Sequence, residues 1–511
     1  MAPAQPGEAS WDLFTSPQLD FCRFWERSSC GRDGTAGLKK NGLRAADMVY
    51  AKSPTSAGRE AVVTFLPSAA RPLVHHLRAA FTRPTFLRWS ILMLAAIVTT
   101  GPRTVHNLLR VASDLAPGHP SSYHRVLSHR RWSLWPVARA LASFLLDRFV
   151  PDGPVLLAGD DTVDEHRGTK VYGKACHRDA VRSSHSHTAY RWGHKWVVLS
   201  ILVRFPFASR PWALPVLVAL YRSKQVQGAE SRRHKTPAEL MRQLLAALVR
   251  WFPARRFVLA VDGGYATHDL ARFAMRHRRR VTMVSRFYPE ANLYRPPPAP
   301  RGRRKRGRPP VRGRKLPSPR KAAAKAKRMR WKVRWYGGGH RLVEGVSEVG
   351  SWYRAAAGLV AVRWVFVHDL TGTHRDEYFF STDPDMAPEE IVGIYTGRWN
   401  LETTFQEMRS HLGLETTRCR KKETILRAAP CLFGLYSFVA LLYACLPASA
   451  TTGIRVAWAG KRHVTFSDAI AAVRRWLWQH WIFETAHKQR GFSKIPRSLR
   501  RRVLNALALA A

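Results

Sequence analysis

Acidic residues are scarce in this chain: 35 Asp and Glu stand against 84 Lys and Arg among 511 residues, a formal charge of +49. A protein this cationic needs a polyanionic partner, and nucleic acid is the first candidate. Cysteine is also scarce. The six (Cys22, Cys30, Cys176, Cys419, Cys431, Cys445) include no CxxC pair, which excludes a zinc ribbon and a disulfide framework and fits a reducing cytoplasm. Met1 to Leu13 lacks a basic stretch followed by an apolar one, so no secretory leader is expected. The most apolar run, Pro430 to Ala444, falls short of the roughly 20 residues that span a bilayer, so it is expected to be a buried core helix and no membrane partner is expected. No Gly-x-Ser-x-Gly elbow is present, which sets aside an ordinary serine hydrolase.

What the chain does contain is core material. Hydrophobic residues make up 46% and the chain carries 18 Trp, enough for about three domains. Residues 1–71 mix Pro, Gly and charge without periodicity and are expected to be a poorly structured lead-in. Residues 72–150 have helical periodicity, broken at Gly101-Pro102 and at Gly118–Pro120, and suit a helical DNA-binding domain. From Pro154 the texture becomes strand-like: Val155–Asp161, Lys195–Phe205 and Pro211–Tyr221 read as a meander. Thr236-Pro237-Ala238-Glu239 is a capping box that opens a helix, and strand, helix and strand follow at Phe257, His268 and Val281. The resulting order is β-β-β-α-β-α-β.

Residues 301–330 hold 15 Lys or Arg and no acid, a composition that cannot fold alone. Within them Arg306-Gly307-Arg308-Pro309 resembles the core of an AT-hook, with Arg306 and Arg308 suited to a narrow minor groove. Strand-like segments follow to Ser381, and helical ones from Met386.

Because acids are few, their placement carries information. Asp160 or Asp161 closes one apolar strand and Asp262 closes another, where carboxylates cost desolvation unless a cation or hydrogen bonds compensate. Glu402 falls in the helix-like segment Glu389–Leu414, on which the spacing of Tyr395, Arg398, Glu402 and Arg409 predicts one shared face. Three converging carboxylates suit phosphodiester chemistry with two metal ions.

These residues resemble a family. The element order, the early Asp, Asp262-x-x-Tyr265 and the string Tyr395-x2-Arg398-x3-Glu402-x6-Arg409 are similar to the DDE transposases of bacterial insertion sequences, in the branch with a Tyr-Arg-Glu-Lys signature, here with Arg in the final position. The resemblance implies an α/β fold: an RNase H-like mixed sheet flanked by helices, with a β-rich insertion domain and an N-terminal helical DNA-binding module. On that frame the catalytic core takes residues 151–290 and 376–450, a basic linker and the β-rich insertion take 291–375, and a basic helical region takes 451–511. It further implies cut-and-paste transposition, by metal-dependent strand cleavage and strand transfer. Asp160 or Asp161, Asp262 and Glu402 would be ligands of two Mg²⁺ ions, for which Mn²⁺ can substitute. Tyr395, Arg398 and Arg409 would contact the DNA backbone. The implied partners are double-stranded DNA, both transposon ends and target, and a second copy in a synaptic homodimer; the implied location is the bacterial cytoplasm, at the nucleoid. Trp331, Trp335, Trp352 and Trp364 lie in the insertion, where packing is the stronger reading and a platform for a flipped base the weaker.

Two other readings compete. A transposase-derived DNA-binding regulator would keep the charge but leave the acidic triad free to vary. The histidines at 166, 177, 185, 187 and 194, with Cys176, raise zinc, but their spacing fits no common ligand pattern, and an exposed basic hairpin near DNA is the better reading.

Overall fold

The computed structural model describes residues 74, 76–179, 183, 186–227, 233–298, 310–451, 461–481 and 495–508. The lead-in 1–71, the AT-hook-like Arg306 and Arg308, and His185 lie outside the described residues.

Four helices come first: α1 (Arg83–Val98), α2 (Val105–Ala112), α3 (Pro120–Ser128) and α4 (Leu134–Phe149). The Gly118–Pro120 turn begins a helix of its own, because Pro120 takes the first helical position and His119 caps it. The meander follows as β1 (Val155–Glu165), β2 (Ala175–Arg178), β3 (Tyr190–Val203) and β4 (Trp212–Tyr221). Helix α5 (Pro237–Trp251) opens on the reciprocal capping box of Thr236 and Glu239. Then come β5 (Phe257–Val261), α6 (His268–Arg276), β6 (Val281–Arg286) and β7 (Leu293–Tyr294).

The described part of the basic segment, residues 310–330, contains a helix that its composition does not signal. Pro319–Lys325 forms α7, capped by Ser318, with Pro319, Ala322 and Ala323 buried; the fold supplies the apolar surface that the segment lacks. Strands β8 (Met329–Arg334), β9 (His340–Arg354), β10 (Gly358–Asp369) and β11 (Glu377–Ser381) follow, then α8 (Pro388–Gly397), α9 (Asn400–Leu412), α10 (Lys422–Ala444), α11 (Phe466–Gln479) and α12 (Arg497–Leu507).

The strands form one eleven-stranded sheet in the order β2-β3-β1-β5-β6-β11-β10-β9-β7, with β4 on β3 and β8 on β9. Strands β1, β5 and β6 run parallel and the other pairs are antiparallel. The segment 291–375 is rich in strands, and these extend the central sheet, because β11 pairs directly with β6 and carries β10 and β9 behind it. Alternate residues of β5 divide between the two faces: Phe257, Leu259 and Val261 join the larger core, while Val258 and Ala260 pack in a second cluster with Ile391, Val392 and Tyr395 of α8. The four candidate tryptophans are all buried, Trp364 to 1% exposure, so none offers a platform to a flipped base.

Helix α10 includes the apolar run Pro430–Ala444 and begins one turn and more before it. Its length and composition would allow a membrane span, but its most apolar window is 78% buried within the protein.

Helix α9 ends at Gly413, whose φ of +63° is the left-handed conformation that closes a helix without a Cβ penalty. Two buried arginines complete that end. Arg103 Nη2 and Arg474 Nη2 both donate to the His411 carbonyl, at 2.5 and 2.9 Å. Arg474 also reaches the Ile97 carbonyl at 2.6 Å and the Thr99 carbonyl at 3.3 Å, past the end of α1. Burial lowers the pKa of Arg474 to about 9 and of Arg103 to about 10, so both still carry their charge at neutral pH, where it complements two helix C-termini. Arg474→Met would remove the side-chain donor of the Ile97 and Thr99 carbonyls and leave His411 with Arg103 alone, and should destabilise the fold by about 2–4 kcal/mol in chemical denaturation, with Arg474→Lys intermediate because one ammonium cannot span all three.

Candidate active site

Strand β1 does not stop at Asp161; it runs to Glu165, which places Asp160 and Asp161 in mid-strand with side chains on opposite faces. Asp161 accepts from the Tyr265 hydroxyl at 2.8 Å and from Lys195 Nζ at 2.9 Å. Asp160 instead accepts from Arg398 Nη1. Asp262 ends β5 as expected, beside β1, and the turn Gly263–Tyr265 aims the buried Tyr265 back at Asp161.

The single helix expected over Glu389–Leu414 is two, α8 and α9. Across Arg398–Trp399 the backbone makes i→i−3 bonds: Arg398 N–H to Tyr395, Trp399 to Thr396, Leu401 to Arg398 and Glu402 to Trp399. The tighter winding of about three residues per turn turns Glu402 relative to Tyr395, while Tyr395, Arg398 and Arg409 all reach the edge formed by β1 and the end of β5. The departure brings the carboxylates together. Arg398 Nη1 donates to Asp160, and its Nη2 lies 3.0 Å from Glu402 Oε1 and 3.9 Å from Asp262 Oδ1. Carboxylates from β1, the end of β5 and the first turn of α9 thus surround one guanidinium.

Burial pushes the Asp160 carboxyl up to about 7, against the pull of Arg398. Burial also acts on Asp262, but Arg398, the Gly263 amide and the Tyr395 hydroxyl outweigh it, and its pKa falls below the usual value. The buried Tyr395 donates to Asp262 Oδ1 at 3.0 Å, and burial together with Asp262 raises its pKa, so it remains a hydroxyl. Arg398 is buried as well, yet Asp160, Tyr395 and the other acids raise its pKa and keep it cationic.

In the structure these side chains are engaged within the protein. Tyr395 is 1% exposed and binds Asp262. Arg398 gives both terminal nitrogens to carboxylates while its Nε has no hydrogen-bond partner. Arg409 holds Thr162 Oγ1, the Val163 carbonyl and Glu415, bracing β1 just past Asp160.

Asp262, Arg398, Trp399 and Glu402 line a cleft of about 700 Å³ whose other wall carries Arg286, Tyr336, Thr373, His374, Arg375 and Glu377. Arg286, at the end of β6, was missed in the sequence; its position beside Asp262 at the carboxyl ends of two parallel strands was the available signal. Trp399, 38% exposed, is the aromatic of the signature region that does face solvent.

Three carboxylates are hard oxygen donors of the kind that hold Mg²⁺ or Mn²⁺, and a cation beside the half-buried Asp160 favours its ionised form. The donor set fits a divalent ion held by Asp160, Asp262 and Glu402. Asp161, committed to Tyr265 and Lys195, stands apart from them.

The model of the DDE superfamily endonucleases matches residues 76–342, just over half of the chain, and the chain belongs to that family. Membership implies divalent-metal use. Asp160 and Asp262 lie inside the matched segment and Glu402 outside it. Among solved structures, a piggyBac transposase synaptic complex with hairpin DNA is similar at 11% identity, covering 88% of this chain and 82% of that one with a TM-score of 0.37. No curated protein matches the chain.

The cleft wall depends on Asp369, which is buried and accepts from Arg341 Nη1 at 2.8 Å and from the backbone N–H groups of Thr371, Thr373 and His374. Burial opposes its ionisation, but the hydroxyl and amide donors of Thr371 and Thr373 prevail and lower it from 3.8 to about 2. A depressed carboxyl contributes stability above its unfolded pKa and loses it as pH falls through the folded one. Asp369→Asn should therefore be less stable than the parent near neutrality, with the gap closing between about pH 4 and pH 2 when melting is followed across that range.

Proposed function

We propose that the chain is a DNA transposase of a bacterial insertion sequence that cleaves the element's ends and joins the freed 3′-hydroxyl to target DNA. The observation that carries this reading is the convergence of Asp160, Asp262 and Glu402 on Arg398 at the rim of an open cleft, in a chain of net charge +49. The order of β4, β3, β1, β5 and β6, with the last three parallel, supports an RNase H-like core. The string from Tyr395 to Arg409 supports the Tyr-Arg-Glu-Lys branch.

Asp160, Asp262 and Glu402 hold the metal, two Mg²⁺ ions in this reading, with Mn²⁺ able to replace them. When bound, the metal supplies an activated attacking oxygen and a stabilised leaving oxygen. Tyr395 fixes the rotamer of Asp262 through its hydroxyl. Arg398 stabilises the three carboxylates in the absence of other cations and is placed to approach the scissile phosphate once they are otherwise engaged. Arg286 and Arg375 on the facing wall attract the phosphate backbone. Arg409 acts through β1, holding the strand that presents Asp160. Strand transfer to a second DNA calls for two bound ends, hence a homodimer with double-stranded DNA, acting in the cytoplasm at the nucleoid.

A nicking assay on supercoiled plasmid carrying the element's ends, with Mg²⁺ or EDTA, tests the reading. Asp160→Asn, Asp262→Asn and Glu402→Gln should each lower cleavage at least about 100-fold while DNA binding persists, and Tyr395→Phe should cost about 10–100-fold. Asp161→Asn should stay within about tenfold of the parent. Full cleavage by Glu402→Gln, or binding without any cleavage by the parent, would refute the assignment. DNA affinity should fall steeply as salt rises, log K declining linearly with log salt.

A further inference from the structure

The histidines read from sequence as an exposed basic hairpin are largely inside the protein. His166, His177 and His194 are all buried, and the Asp164 side chain is wholly inaccessible. Asp164 lies on β1 four residues beyond Asp160, about 13 Å along the strand. Gly193 of β3 permits the arrangement, since a Cβ there would sit 1.7 Å from the Asp164 carbonyl oxygen. This close crossing lets the His194 amide donate to Asp164 Oδ1 at 3.0 Å and brings the His194 ring against the carboxylate.

Three ligand-type atoms converge there, all within 4.8 Å of one another: a carboxylate oxygen of Asp164, Nε2 of His166 and Nδ1 of His194. Asp164 Oδ2 lies 3.4 Å from His166 Nε2, and Asp164 Oδ1 lies 3.4 Å from His194 Nδ1. These gaps are long for hydrogen bonds; Asp164 Oδ2 and His194 Nδ1 have no hydrogen-bond partner although both are buried. Each gap runs from a different oxygen of the carboxylate, and one ligand atom from each of the three residues lies close enough to the other two to face a single ion. The other ring nitrogen of His194 lies 2.8 Å from the Tyr172 carbonyl. As a donor to that carbonyl it leaves Nδ1 with a lone pair facing Asp164, the outer support that metal-bound imidazoles commonly have.

We propose that Asp164, His166 and His194 form a structural site for a divalent transition-metal ion, zinc by its donor set, separate from the carboxylates at Asp160. Two imidazoles and a carboxylate favour such an ion over Mg²⁺, which seeks oxygen ligands. The site ties the end of β1, the segment that leaves it and the start of β3 into one unit. It therefore fixes the strand that carries Asp160 from its far end, on the same face and about 13 Å beyond the carboxylate cluster.

The test uses the full chain, dialysed against a weak chelator, with metal content measured by mass spectrometry. The parent should retain close to one zinc per chain, and Asp262→Asn should retain it as well, which separates this site from the carboxylate cluster. His166→Gln and His194→Gln should lose it. Where a histidine variant fails to fold, the chelator-stripped parent gives the same answer without substitution: added Zn²⁺ should raise its melting temperature, and added Co²⁺ should produce the absorption of a tetrahedral ion. A folded parent that holds no zinc and is unaffected by added Zn²⁺, iron in place of zinc in the parent, or zinc retained by the folded histidine variants would each overturn the proposal.

Discussion

The charge on Arg398 is the constraint on which the rest of the catalytic region depends. A buried carboxyl such as Asp160 would be neutral in isolation, and Asp262 and Glu402 would repel it and each other. One guanidinium placed among the three lets them share a rim while each keeps an acceptor engaged. Its own burial is tolerable for the same reason, since the acids around it hold its proton. The two tyrosines divide the remaining work: Tyr395 binds the acid that faces the cleft and Tyr265 the one that does not. A chain with an excess of basic residues thus builds an acidic cluster by dedicating its most buried site arginine to it.

Much of this architecture was readable from the residues where the signal is local. The Thr236 capping box, the long strands and helices between Val155 and Arg286, and Asp262 at a strand end all depend on neighbours within a few positions, whereas the four-residue β2 adds a strand to the expected order. Asp160 and Asp161 could not be separated in the sequence, because consecutive strand residues face opposite ways and the side that is functional depends on where α8 and α9 pack. The single continuous helix failed for a related reason: a short i→i−3 junction at Arg398 lies beyond any count at 3.6 residues per turn. The helix within the basic segment was not legible because composition describes a chain in isolation, whereas Ala322 and Ala323 find their apolar surroundings only in the assembled fold.

Strand β1 is the most constrained element of the sheet. It pairs with β5 on one side and β3 on the other, presents Asp160 to the cleft, is held past that point by Arg409, and buries Asp164 among histidines at its far end. The family match ends before Glu402, so the third carboxylate is contributed by a part of the chain whose link to the first two is three-dimensional.

The double cap on His411 has a consequence for the growing chain. Helix α9, which carries Glu402, is anchored by one arginine that precedes the sheet and another that follows α10. During synthesis both aspartates and the glutamate emerge before Arg474 does. A nascent chain therefore holds all three acids at a stage when the carbonyl end of the helix bearing the last of them has only Arg103 to cap it.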